Sequence, residues 1–285
     1  MTNAGAATYY NSASRFNQVH AYASTGYNVS QMWDSVGVDI YHVDPALGFV
    51  AGTGFVNLSH AFHRYYAYSY AGGVDEAHFF DSSGDDRFIG KDIRSTIQNA
   101  NTTFYGSATR FEKVYAYAIN GGSDRADLHG NANSDTLVSG VDTTTMSASN
   151  YFYEVNWFET VNATAYAGGT DTADLTDSAG NDLFLDIPTS SYVVWGNNNR
   201  ISLFNFNSVD FESLFGGNDT ADYRSLGLLD EVFGLDALVE VTRSNGRVVK
   251  ATGIDNVIAQ SLTAPGPSTD MTSLDYVFSQ TGNWS

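Results

Sequence analysis

An aromatic or aliphatic residue followed three positions later by Val or Tyr recurs along this chain at Phe16/Val19, Phe62/Tyr65, Phe111/Val114, Phe158/Val161, Phe206/Val209 and Ile254/Val257. The anchors are separated by 46, 49, 47, 48 and 48 residues. A fixed long period means that one supersecondary unit is copied and stacked, which few architectures allow. The rest of the unit keeps step. Ten residues after each of the first five anchors stands a glycine: Gly26, Gly72, Gly121, Gly168 and Gly216. Asn28, Asp75, Asp124, Asp171 or Asp219 follows, and eleven residues later comes Asp39, Asp86, Asp135, Asp182 or Asp230.

Within a unit the local period is two. Val114, Ala116 and Ala118 alternate with Tyr115, Tyr117 and Ile119, the mark of a strand with one buried face. Glycine pairs between such segments permit positive φ and sharp corners, and they interrupt any helix. These features predict an all-β parallel β-helix, a β-solenoid of five repeats with capped ends. A blade of a β-propeller has a similar length but gives no reason for aspartates spaced by eleven. Each unit is long enough for two coils of about 23 residues. Residues 1–14 read as an N-terminal cap, 15–262 as the solenoid, and 263–285 as a linker and capping segment, because Ala264-Pro265-Gly266-Pro267 breaks strands. If equivalent positions of successive units lie above one another, the outward residues form columns. One column is His20, Tyr66, Tyr115, Asn162 and Asp210. The next is Tyr22, Tyr68, Tyr117, Thr164 and Glu212.

Charge narrows the function classes. The chain has 32 acidic and 13 basic residues, a net charge of −19, and only three lysines. That field opposes nucleic acid and anionic membranes and favours cations. No apolar run is long enough to enter a bilayer as a spanning helix, so membrane insertion is not expected. With no cysteine, disulfides, thiolate metal sites and Cys nucleophiles are excluded. Phosphate loops, dinucleotide fingerprints and His-Glu-x-x-His are absent too.

The segment Gly168-Gly169-Thr170-Asp171-Thr172-Ala173-Asp174-Leu175-Thr176-Asp177-Ser178-Ala179-Gly180-Asn181-Asp182 resembles the Gly/Asp-rich calcium repeats of secreted bacterial RTX proteins, although their unit is about nine residues. The longer phrase Phe-x-x-Val-x-Ala-Tyr-Ala, followed by Gly-Gly-x-Asp-x-Ala-x-Leu-x-Asp-Ser-x-Gly-x-Asp-x-Phe, resembles repeats of very large secreted bacterial surface proteins. The second resemblance implies an extracellular or cell-surface setting, and the first implies calcium as a cofactor.

Three sites are expected. The first is calcium held by Asp39, Asp75, Asp81, Asp86, Asp124, Asp135, Asp171, Asp177, Asp182, Asp219 and Asp230, since stacked carboxylates repel unless a cation or hydrogen bonds offset them. The bland alternative is that they accept from turn N–H groups. The second is a Tyr-rich face of Tyr22, Tyr66, Tyr68, Tyr115 and Tyr117, with Arg64 and Lys113 beside it, for a polysaccharide or a neighbouring protein subunit. The alternative there is that tyrosines simply stack well on a sheet. The third is a lyase-like centre of His63, Arg64, Lys113 and Tyr115, which has a base and cations suited to uronates. The Asp85-Asp86 pair reads as structural, because Asp86 is the regular repeat aspartate. A self-assembling fibre subunit is a further reading.

Overall fold

The computed structural model describes residue 13 and residues 16–166, 168–263 and 265–284. Nearly all of the expected N-terminal cap lies outside them. Among the described residues there is no helix. The strands form two large sheets, one of 15 strands (sheet I) and one of 13 (sheet II).

The chain winds between the sheets. It starts on sheet I at β1 (Gln18–Tyr22), crosses to sheet II at β2 (Val29–Trp33), and returns to sheet I for the antiparallel meander β3 (Ile40–Val43), β4 (Leu47–Gly52) and β5 (Phe55–His60). The second unit repeats this with the sheets exchanged: β6 (Arg64–Tyr68) on II, β7 (Glu76–Phe80) on I, then β8 (Asp86–Lys91), β9 (Arg94–Asn99) and β10 (Tyr105–Thr109) on II. The third exchanges them again, with β11 (Lys113–Tyr117), β12 (Arg125–His129) and the meander β13 (Thr136–Ser139), β14 (Thr143–Ala148) and β15 (Tyr151–Asn156). The fourth holds β16 (Thr160–Thr164), β17 (Thr172–Thr176), β18 (Leu183–Ile187), β19 (Ser190–Val194) and β20 (Arg200–Phe204). The fifth holds β21 (Ser208–Glu212), β22 (Thr220–Leu226), β23 (Glu231–Asp236), β24 (Leu238–Thr242) and β25 (Val248–Thr252). A final β26 (Asn256–Ser261), β27 (Ser268–Leu274) and β28 (Val277–Gly282) follow.

The fold is therefore a parallel β-solenoid, with parallel pairing between coils and antiparallel pairing only inside the five meanders. Each unit crosses between the sheets three times, not the even number that two full coils require. Successive units consequently begin on opposite sheets. The anchor strands β1, β11 and β21 belong to sheet I, and β6, β16 and β26 to sheet II. Equivalent positions of neighbouring units point in opposite directions, so the expected columns do not exist. Tyr66 lies between Gln31 and Ser107, and Tyr115 between His78 and Glu154.

Period-two patterning works as expected within each strand. Inward residues such as Tyr41, Phe79, Leu137, Val209 and Phe211 on sheet I face Tyr65, Phe88, Ile97, Phe184 and Ile201 on sheet II, all fully buried. Phe184 and Phe211 stack with ring centroids 5.2 Å apart. Burying each such ring contributes roughly 1.5–3 kcal/mol, and small partners, chiefly alanine, keep the two layers close. At the Gly216-Gly217 corner the second glycine is required: Gly217 has φ +128°, and a Cβ there would overlap the Gly180 carbonyl one coil back. Beyond the breaker segment, residues 268–282 supply the last strand of each sheet, β27 on β23 and β28 on β26.

Candidate functional site

Three features compete as the functional site: the corner carboxylates, the outward face of sheet I and the outward face of sheet II. At the corners the aspartates form short relays. The Asp39 N–H donates to Asp75 Oδ1 (2.8 Å), and the Asp75 N–H donates to Glu112 Oε2 (2.8 Å). Asp86, Asp124 and Glu159 repeat this at 2.7 and 2.7 Å. Asp135, Asp171 and Asn207 do so at 2.8 and 2.8 Å, and Asp182, Asp219 and Asp255 at 2.8 and 2.8 Å. The acceptor that ends each relay is the residue just after an anchor. That position was missed in the sequence, although its run of polar side chains (His63, Glu112, Glu159, Asn207, Asp255) is visible there. His63 is its first member: its Nδ1 lies 3.3 Å from the Asn28 N–H.

The other aspartates brace turns as well. Asp81 accepts from the Asn120 N–H and Asp177 from those of Leu214 and Phe215, while Asp230 accepts from Gly227 and Ser244. The residues expected to bind calcium are thus largely committed to backbone donors. This is the alternative role for turn aspartates. Two partial exceptions remain, although each aspartate in them also accepts from a backbone N–H: Asp177 from Leu214 and Phe215, Asp182 from Ser178 and Gly196, Asp219 from Asp182, and Asp86 from Ser82. One oxygen from each of Asp177, Asp182 and Asp219 can be chosen so that all three lie within 4.8 Å of one another, a buried group that could hold a metal ion. Its all-oxygen donor set suits a hard cation. Ser213 Oγ lies between two of its members, 3.2 Å from Asp177 and 2.7 Å from Asp219. The second exception is Asp86, which is buried and whose Oδ1 has no hydrogen-bond partner among the described residues. Beside it, burial pushes the Asp124 carboxyl up to about 7, with Glu159, Asp81 and Asp86 adding like charge and the Asp86 N–H opposing.

The aromatic residues divide between the sheets. Tyr22, Tyr115, Tyr117 and Lys113 project from sheet I, while Tyr66, Tyr68 and Arg64 project from sheet II. The lyase-like group is separated in the same way: His63 and Arg64 sit at the start of a sheet II strand, Lys113 and Tyr115 on sheet I. Lys113 is moreover paired with Glu76 at 3.0 Å.

Sheet I replaces the expected column with a different strip. Phe49, His42, Phe80, Tyr117 and Trp157 contact one another in sequence, with centroid distances of 4.9, 4.7, 4.9 and 6.3 Å. A branch runs from Tyr117 through His78 and Tyr115 to Phe152 at 6.3, 4.8 and 5.8 Å. These rings come from β4, β3, β7, β11 and β15, which are adjacent in the sheet, and from Trp157 just after it. Burial lowers the His78 pKa despite Glu76 and raises those of Tyr115 and Tyr117, so all three are neutral near pH 7. Beside the His42–Phe80 part of the strip lies a shallow cleft of about 380 Å³, lined by these two residues and by Asp44, Asp81, Ser82 and Asn120 among others. Comparison with protein-family models, curated proteins and solved structures finds no match.

Proposed function

We propose that this protein is an extracellular, non-catalytic binding module that takes a polysaccharide chain along the aromatic strip of sheet I. The observation that carries this reading is the unbroken contact path Phe49–His42–Phe80–Tyr117–Trp157, flanked at His42 and Phe80 by a cleft with carboxylate, hydroxyl and amide groups. Flat apolar rings with polar groups at their margin match sugar faces and hydroxyls. Held by adjacent strands, the rings are pre-ordered, which lowers the entropic cost of binding. Trp157 is the most accessible of the five, at 49 % exposure.

Trp157→Ala and Tyr117→Ala are each expected to weaken binding of a neutral polysaccharide about tenfold, equivalent to about 1.4 kcal/mol. Affinity electrophoresis in gels containing xylan, β-glucan or galactan reads this as restored mobility. Mobility of the wild type unchanged by every such polymer would overturn the proposal.

The buried triad supports a second element of the reading: calcium at Asp177, Asp182 and Asp219 as a structural cation. Binding only to the folded state at tenfold excess over Kd would add about 1.4 kcal/mol of stability. Thermal melts in calcium and in chelator should therefore separate, and Asp177→Asn should close the gap. Superimposable melts would remove calcium from the account.

A further inference from the structure

The outward side of sheet II carries charge opposite to that of the molecule as a whole. The net charge is −19, yet Arg64, Arg87, Lys91, Arg94, Arg125, Arg200 and Arg224 all lie on strands of this sheet, and Arg110 directly follows β10. Elsewhere among the described residues the cations are neutralised. Lys113 and Lys250 pair with Glu76 and Glu240 on sheet I, and Arg243 and Arg247 are buried against carboxylates. Among the described residues, Arg64, Lys91, Arg94, Arg110 and Arg200 have no carboxylate within 4.0 Å. Arg87 and Arg125 share the single carboxylate of Asp127.

Register makes a line of these groups. Arg64, Tyr105, Gln98, Arg87, Arg125, Thr160 and Arg200 are successive cross-strand neighbours on β6, β10, β9, β8, β12, β16 and β20. Six strand spacings give a track about 29 Å long. A parallel row holds Trp33, Tyr68, Thr109 and Arg94. Trp33 stacks on Tyr68 at 5.5 Å, and Tyr68 on Tyr70 at 6.0 Å. The Arg64 guanidinium sits over Tyr105 at 5.0 Å, and its buried Nε has no acceptor among the described residues. With 32 carboxylates available in the chain, this unpaired cationic and aromatic surface calls for an anionic occupant.

We infer that the outward face of sheet II binds an acidic polysaccharide, with carboxylates on the arginine track and sugar faces on Tyr105, Tyr68 and Trp33. Charge density selects this class over nucleic acid. After Asp127 is allowed for, the track offers roughly one positive charge per 10 Å, against one phosphate per about 3.4 Å of a nucleic acid strand. The excess phosphate charge would meet a strongly negative protein. A polymer with one uronate every ring or two spreads its charge over a longer repeat and so adds less uncompensated charge. This site is on the opposite side from the sheet I strip and stands whether or not that strip binds sugar.

The test uses the full chain, in chelator, titrated with oligogalacturonate, with a neutral galactan oligomer of equal length and with an oligothymidylate. Oligogalacturonate is expected to bind at 50 mM NaCl and to weaken more than tenfold at 300 mM, because the contacts are screened. The double variant Arg64→Gln/Arg94→Gln should weaken it at least tenfold while melting like the wild type. Lys250→Ala, on sheet I, should change nothing. Absence of binding at 50 mM NaCl, equal binding by the double variant, or tighter binding of oligothymidylate would each overturn the inference. So would salt-sensitive self-association in sedimentation that the double variant abolishes, which would give this face to a second copy of the chain.

Discussion

Asp186→Ala is expected to destabilise the protein by about 3–5 kcal/mol, the cost of leaving buried charges without their partner. Asp186 is fully buried, on the inward side of β18. Ser191 Oγ donates to its Oδ1 at 2.8 Å, Arg247 Nη1 donates to the same oxygen, and Arg243 Nε reaches its Oδ2 at 3.1 Å. Both arginines flank the hairpin turn between β24 and β25 and are themselves buried. Losing Asp186 leaves two guanidiniums with Asp230 as the one carboxylate still in contact, at 3.4 Å from Arg243. A solenoid is quasi-one-dimensional, so the damage should be local. Hydrogen exchange should accelerate across β18–β25 and change little in β6–β11. The triple change Asp186→Leu, Arg243→Met, Arg247→Met should recover most of the stability, since apolar groups can replace a buried ion cluster with little loss. Urea unfolding that places Asp186→Ala within about 1 kcal/mol of the wild type would refute this account of the cluster.

The second large effect is one of pH. Asp124 is held near 7 in the folded protein against 3.8 for the free side chain, with burial as the main cause. Folded chains thus bind this proton more tightly than unfolded ones. The stability linked to it is fully present below about pH 4 and is lost as pH rises through about 7. Burial also raises Asp39, Asp86, Asp135, Asp171 and Asp219, which act in the same direction. The protein should therefore melt at a higher temperature near pH 5 than at pH 8. Asp124→Asn keeps the Oδ1 that accepts from the Asp86 N–H and removes the charge. Its advantage over the wild type should grow between about pH 4 and pH 7 and then level off, on the order of 2 kcal/mol. Melts recorded in chelator that show no divergence between the two proteins over that range would sink the argument.

Strand content, the all-β solenoid class, most glycine corners and the inward or outward sense of most residues were legible in the sequence, because each follows from local chemistry; the five units expected there wind into about seven turns. Period-two alternation assigns Val114 and Ala116 to the core and Tyr115 and Tyr117 to the surface, whatever lies next to them. Positive φ at the Gly-Gly corners favours glycine by sterics alone, whereas the corners just before the anchors take positive φ at Ala61, Arg110, Trp157 and Asn205. The turn role of the aspartates was legible as one of two options. What selects it is the N–H of the preceding coil standing 2.7–2.8 Å away, as at Asp124 and Asp75, a relation between residues far apart in the chain.

Which outward residues share a face was not legible. The regular interval between anchors invites stacking unit on unit, and that assumption produced a tyrosine column. The tertiary structure decides otherwise through a single parity: each unit crosses between the sheets three times and therefore turns its successor over. Short-range sterics and hydrophobic alternation set what each segment is. The number of crossings, which depends on how the meander packs against neighbouring coils, sets where each segment faces. That parity divides the aromatic and charged residues into one strip on sheet I and a cationic track on sheet II.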